Sequence, residues 1–183
     1  MYYQIINAEN EEIGLVWQYI NNKPVIENIF LPCPHNKLIF KIKRFCSEVN
    51  LTERNIPDDI DQKIRQIYSG SKVNIKNSFL NYTKLTKFST LVLKQTCKIP
   101  PGKVDTNSGL AEKIGSPGAA RAVGNVMANN PFPILVPCHR VVRSNGSMGG
   151  FGGGIKMKKE LLCKEGVILN VKNRVAEECF YKG

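Results

Sequence analysis

The chain has 183 residues, enough for one or two compact cores, with 42% hydrophobic residues and a formal net charge of +11. No apolar run approaches the ~20 residues of a bilayer span. The start, M-Y-Y-Q-I-I-N-A-E-N-E-E, has neither the charge order nor the cleavage site of a secretory leader. The expectation is therefore a non-membrane protein, cytoplasmic, or nuclear if the source is a eukaryote. Residues 1–83 carry ten basic and nine acidic side chains, whereas residues 84–183 carry sixteen and six. A net charge of +10 confined to the second part points to a polyanionic partner there, and argues against an evenly solubilised surface.

The first third alternates as short strands do, over residues 2–7, 13–20 and 25–31, with Asn21-Asn22 as a turn, and predicts a small antiparallel sheet. A helix is predicted from Ile56, with Pro57 in its first turn, acids Asp58, Asp59 and Asp61, apolar positions Ile60, Ile64 and Ile67, and Ser69-Gly70-Ser71 at its end. A polar stretch, 74–81, follows. Thr86 then caps a predicted helix with an apolar stripe of Phe88, Leu91, Val92 and Cys97, stopped by Pro100-Pro101-Gly102.

Thr106 is the next candidate cap, for a short helix over 108–114, followed by the turn Gly115-Ser116-Pro117-Gly118 and a helix from Ala119 to about Ala128. This is the pattern of a helix-turn-helix. In the second helix Ala119, Val123, Val126 and Met127 form the inward stripe, leaving Arg121, Gly124, Asn125 and Ala128 outward. Base readout in a major groove calls for long polar side chains. A face this bare, with one arginine, suits close approach to a minor groove.

Residues 129–155 read N-N-P-F-P-I-L-V-P-C-H-R-V-V-R-S-N-G-S-M-G-G-F-G-G-G-I. The prolines restrict the backbone, and Phe132, Ile134, Leu135 and Val136 bury it, so Cys138 is expected on a rigid interior turn. A thiol of ordinary pKa ~8.5 needs a neighbouring base or positive charge to become a nucleophile. His139 and Arg140 follow directly, and Glu165, after a predicted helix over 157–164, could set the imidazole tautomer. A cysteine beside a histidine, taken alone, reads first as a buried inert cysteine next to a packing histidine. The glycines from Gly146 to Gly154 surround Met148 and Phe151, and lack the G-x-x-x-x-G-K-S order of a phosphate loop; a wall for a flat pocket fits better. The other cysteines, Cys33, Cys46, Cys97, Cys163 and Cys179, show no paired metal spacing, and only His35 joins His139, so neither a disulfide framework nor a zinc site is expected.

P-C-H-R-V, preceded by N-P-F-P-I-L-V and followed by the glycine loop and K-K-E-L-L-C-K-E-G, resembles the O6-alkylguanine-DNA alkyltransferases, also called methylated-DNA–protein-cysteine methyltransferases. The likeness runs over about residues 85–166 and includes A-A-R-A-V-G. It implies an α+β protein, with a small N-terminal α/β domain (1–83) and a mostly helical C-terminal DNA-binding and alkyltransferase domain (84–183). It further implies that Cys138 accepts an alkyl group, that His139 links it through a water to Glu165, and that Asn130 braces the turn. Arg121 corresponds to a finger that fills the gap left by an extruded nucleotide. Guanine would be held by the backbone carbonyls of Cys138 and Val141 and by the N–H of Gly152, an arrangement that stabilises charge developing on O6. Met148, Phe151 and Gly153 complete the expected pocket, and Asn107, Gly124, Asn125 and Ala128 the DNA face.

This chain departs from the family at Asn107, where a tyrosine is usual, and at Gly152, often serine. The resemblance implies single-turnover DNA repair with no cofactor, by a monomer acting on double-stranded DNA that contains O6-alkylguanine. Two other readings compete with it. A helix-turn-helix regulator without catalysis would need base-reading side chains on its second helix, and a Cys-His hydrolase would leave the charge segregation unexplained.

Overall fold

The computed structural model describes every residue except Glu48 and Asn74. The polar stretch expected from Asn74 therefore begins outside the described residues. The chain divides into two compact units, Met1–Thr83 with Pro131–Leu135, and Lys84–Asn130 with Val136–Gly183. The protein is α+β, and among the described residues no helix is long and apolar enough to cross a membrane.

In the first unit β1 (Tyr2–Ala8), β2 (Glu11–Ile20) and β3 (Lys23–Phe30) pair antiparallel, as the alternation predicts. A two-residue strand, β4 (Thr52–Glu53), adds to β1 in parallel, giving the order β3-β2-β1-β4. The period of two sends Tyr3 and Ile5 to one face, where they join Val16, Leu38, Ile42 and Cys46. Helix α1 (His35–Phe45), absent from the sequence reading, supplies Leu38 and Ile42. Gly14 admits it: a Cβ there would stand 2.9 Å from Ile42 Cδ1 and 3.0 Å from Leu38 Cδ1. On the opposite face buried Gln4 accepts the Ile56 N–H at 2.9 Å. Helix α2 spans Ile60–Tyr68 and buries Ile60, Ile64 and Ile67. It starts four residues after Ile56, because Asp58 and Asp59 both hold left-handed backbone (φ 64° and 52°), which keeps Pro57 and these acids out of the first turn.

The second unit begins with α3 (Lys87–Thr96), whose Thr86 cap accepts the Ser89 N–H at 3.0 Å. Its buried stripe is Val92, Leu93 and Thr96; Leu91 is 49% exposed and Cys97 is the C-cap, so the helix stops ahead of the Pro-Pro-Gly. Thr106 caps α4 (Asn107–Lys113), a turn follows, and α5 runs over Ala120–Ala128. Val92, Ile99, Leu110, Ala111, Val123 and Val141 form the core joining these helices. On α5 the expected inward residues are buried or partly so, while Arg121, Asn125 and Ala128 are exposed. Strand β5 (Asp105–Thr106) pairs in parallel with β6 (Val141–Val142), which brings the start of α4 beside the segment that follows Cys138. Helix α6 (Gly154–Lys164) completes the unit, with Leu161 and Leu162 buried.

Candidate active site

Cys138 lies in the second unit at the start of a 3-10 turn, Cys138–Arg140, whose three residues are all buried. Its N–H donates to Val136 O at 2.8 Å, and Asn130 Nδ2 donates to the same carbonyl at 3.0 Å while also hydrogen-bonding the thiol. The lead-in over Pro131–Leu135 clusters with the first unit, where the Ile29 N–H donates to Pro131 O at 2.8 Å and Phe132 stacks edge-on with Tyr82. Ile134 in this lead-in holds φ 76°, a conformation that β-branched residues avoid and that costs about 1–3 kcal/mol. Such strain persists only where packing fixes it, and Phe132, Ile134 and Val136 are all at most 1% exposed.

Behind the cysteine a buried charge cluster closes on Glu165, the C-cap of α6. His139 Nε2 lies 2.9 Å from Glu165 Oε1, while Arg140 donates through Nε to Oε2 at 2.8 Å, through Nη2 to Oε1 at 2.7 Å and through Nη1 to Ile99 O at 2.6 Å. Burial alone would raise the Glu165 carboxyl, but the hydrogen bonds and charges of His139 and Arg140 outweigh it and hold the pKa at about 2. Burial lowers the pKa of His139 despite the carboxylate, so the ring is neutral at pH 7. The Nδ1 atom of that ring is buried with no hydrogen-bond partner among the described residues.

Two sequence expectations change here. Burial dominates at Cys138 and raises its thiol above the ordinary value, and Arg140, spent on Glu165, is not among the charges acting on it. The opposing cation is Lys158, which sequence reasoning passed over. Its side chain is buried in α6 and donates to Val141 O at 2.6 Å and Gly150 O at 3.3 Å, tying β6 to the glycine loop. Burial lowers its pKa to about 8, with Cys138 acting to raise it and Arg143 to lower it. It is still mostly protonated at pH 7 and favours the thiolate across the pocket.

That pocket is a cavity of about 390 Å³, within the range of small-molecule sites. Of the expected residues, Asn107, Gly124, Ala128, Val141, Phe151 and Gly152 line it with Cys138. Met148 does not; its thioether joins the core of Val104, Val142, Leu162 and Val167. Gly153 is likewise absent from the lining and serves as the N-cap of α6. Arg121 and Asn125 stand on the exposed face of α5, outside the cavity. Gly124 leaves room for Asn107, since a Cβ there would sit 3.1 Å from Asn107 Nδ2. Lys158, Arg143 and Val142 are lining residues that the sequence did not single out, while Gly149 and Gly150 come from the glycine loop expected as a pocket wall and Met127 from the stripe expected to face inward.

A larger hollow of about 670 Å³ lies in the first unit, among Glu9, Glu11, Glu12, Cys33 and His35. Its acidic rim has the wrong sign for a nucleic acid. Among the described residues no group of three His, Cys, Asp or Glu side chains is placed to hold a metal ion.

The cluster makes the fold acid-sensitive. Glu165, depressed in the folded state, contributes stability that is full above its ordinary value of 4.5 and lost as pH falls towards about 2. His139, also depressed, acts in the same direction below its ordinary 6.5. Thermal melts from pH 7 to pH 3 should therefore show a fall, of roughly 2 kcal/mol from Glu165 alone and most of it below about pH 4.5. A melting temperature flat over that range would contradict this electrostatic account.

Comparison with known proteins agrees with the geometry. Residues 87–167 match the family described as 6-O-methylguanine DNA methyltransferase, DNA binding domain. Relatives named methylated-DNA–protein-cysteine methyltransferase include one from Shigella flexneri, 42% identical over 113 residues, which are 62% of this chain and 66% of the relative. Another, from Saccharolobus islandicus, is 34% identical over 122 residues, 67% of this chain and 78% of the relative. The alignments to the Shigella and Methanothermobacter thermautotrophicus relatives span 66% and 59% of those proteins, less than two thirds of each. The crystal structure of Mycobacterium tuberculosis OGT in complex with DNA superposes with a TM-score of 0.70 at 27% identity, covering 90% of this chain and 92% of that one. The O6-methylguanine-DNA methyltransferase of Pyrococcus kodakaraensis shares the fold, with a TM-score of 0.70 at 24% identity, over 91% and 99% of the two chains. With the buried cysteine turn, its His-Glu-Arg support and these matches in hand, the chain belongs to the methylated-DNA–protein-cysteine methyltransferase family.

Proposed function

We propose that this protein repairs DNA by moving an alkyl group from O6 of guanine onto Cys138, once per molecule. The observation that carries this reading is a buried cysteine opening on a base-sized cavity, with Lys158 and the His139–Glu165 pair beside it. The Cys138 sulfur attacks the alkyl carbon, an S–C bond forms as the C–O6 bond breaks, and the electron pair passes to the guanine ring. The thiol gives up its proton and guanine regains one at N1, so no cofactor is required. His139 acts on the thiol through a water at its Nδ1, where a buried polar atom calls for a hydrogen-bonding molecule. Lys158 favours the thiolate, and the N–H of Gly152 meets the charge growing on O6.

Residues 84–183 form the DNA-binding and transfer domain in this reading, and α4 and α5 its helix-turn-helix. The bare face of α5 enters the minor groove of double-stranded DNA, and the damaged nucleotide is flipped into the cavity by a protein acting as a monomer. Arg121, exposed on that face, occupies the vacated space. Its replacement by alanine should reduce the rate on duplex O6-methylguanine about tenfold or more, as loss of part of the few kcal/mol needed for extrusion. Single-stranded DNA should be hurt less, and the free base O6-benzylguanine least. Equal losses on all three substrates would remove Arg121 from flipping.

The reading itself is tested by base composition. Duplex DNA containing O6-methylguanine, incubated with limiting protein and then hydrolysed, should show unmodified guanine restored one-for-one with protein and no base released. Restoration beyond one equivalent, or an abasic site, would overturn it.

A further inference from the structure

A second cavity, of about 330 Å³, adjoins the start of α4 and is lined by Thr106, Asn107, Ser108, Ala120, Arg143, Ser144 and Asn145. Its lining is rich in hydroxyl and amide groups. Asn107 and Arg143 line both this groove and the Cys138 cavity. Of the two, only Arg143 is charged. Its side chain is exposed and runs past Gly149, its Cγ standing 3.6 Å from where a Cβ on that glycine would be. The backbone below it is fixed, because the Arg143 N–H donates to Ser147 O at 3.0 Å and Arg143 O accepts the Gly146 N–H at 2.9 Å. No hydrogen bond or ion pair engages its guanidinium within the described residues, in contrast to the fully engaged Arg140.

We infer that Arg143 is a phosphate clamp, gripping the phosphodiester that flanks the base held in the Cys138 cavity while the adjoining groove carries the neighbouring backbone. This inference rests on the proposed transfer reaction and adds the group that holds the nucleotide by its backbone. A base in the cavity carries its sugar and phosphates to the rim, and an unengaged planar fork at that rim matches a phosphate's paired oxygens. Contacts of this kind fix position without reading sequence. Arg143 also differs in kind from Arg121: one holds the nucleotide's own backbone, while the other fills the stack it leaves. A clamp is therefore needed on single strands as well, where no extrusion occurs.

The test compares wild type, Arg143→Ala and Arg143→Lys on a single-stranded trinucleotide centred on O6-methylguanine and on the free base O6-benzylguanine. The expected result for Arg143→Ala is an about tenfold slower reaction with the trinucleotide, a loss several times larger than on the free base. The slope of log affinity against log salt for the trinucleotide should fall by about one. Arg143→Lys should recover part of the rate, as a point charge without the fork. Equal losses on the two substrates, or an unchanged salt slope, would overturn the clamp while leaving the transfer reading in place. Failure of the wild type to gain an alkyl group from either substrate would overturn both.

Discussion

Cys138→Ala is expected to abolish alkyl uptake completely while leaving DNA affinity within about twofold of wild type. In the proposed reaction the sulfur makes the only bond that forms in the protein, whereas affinity for DNA is expected from the exposed lysines and arginines among the sixteen of residues 84–183. Alanine at a site 8% exposed removes one atom and tolerates the turn geometry, so the variant should fold. The check pairs a binding titration on duplex O6-methylguanine with a count of methyl groups carried by the protein. Methyl uptake by the alanine variant would assign the acceptor to one of the other five cysteines. Of those Cys163 is the exposed one.

The second large effect is expected at Glu165→Gln. Its carboxylate accepts from His139 and twice from Arg140, whose residue is only 7% exposed, so a neutral amide leaves a buried guanidinium without its counter-charge. Breaking a buried pair from one side costs about 3–5 kcal/mol, and at this chain length a melting temperature lower by roughly 10 °C should follow. Transfer should also slow by about a hundredfold, as expected when acid–base support is lost. The apparent pKa of the thiol, read from the pH dependence of the rate, should rise. Both measurements belong below the variant's melting range. A loss of stability with an unchanged pH profile would make Glu165 a structural member only, and Glu165→Asp, which keeps the charge, separates the two by restoring the thiol's pKa in part.

The parts of this site that could be read from the sequence were those marked by stiff or capping residues. Thr86 and Thr106 announced their helices because a hydroxyl at that place satisfies an otherwise orphaned N–H. The proline-flanked cysteine announced a rigid turn, and Glu165 is where His139 needed a partner. Lys158 was hidden by its company: K-M-K-K reads as a solvated face, and Lys156 and Lys159 are indeed exposed. The signal was its spacing, three and four residues ahead of buried Leu161 and Leu162, on the inward stripe of α6.

Other misses came from competition that local pattern does not resolve. Helix α1 follows Pro34 without an acidic first turn or a side-chain cap, although Leu38 and Ile42 already carried the helical spacing. At Asp58 and Asp59 the acids favoured a helix start, yet aspartate tolerates left-handed backbone and the chain uses both for a turn. Arg140 looked like an activator of its neighbour Cys138, but in a 3-10 turn adjacent side chains diverge, and its guanidinium reaches Glu165 and Ile99 O instead. Met148 was an apolar residue in a glycine loop, and only the packing of Val104, Val142 and Leu162 around it decided for the core.

The central claim, that Cys138 is the irreversible acceptor of an O6-alkyl group, is tested most directly by intact mass. The protein is mixed with an excess of duplex DNA containing O6-methylguanine, weighed by mass spectrometry, then digested and sequenced. The account predicts a mass increase of a single methyl group that does not grow with time or with more DNA, located on the peptide bearing Cys138. An unchanged mass after the guanine has been restored, or a methyl group on any residue other than Cys138, would contradict it.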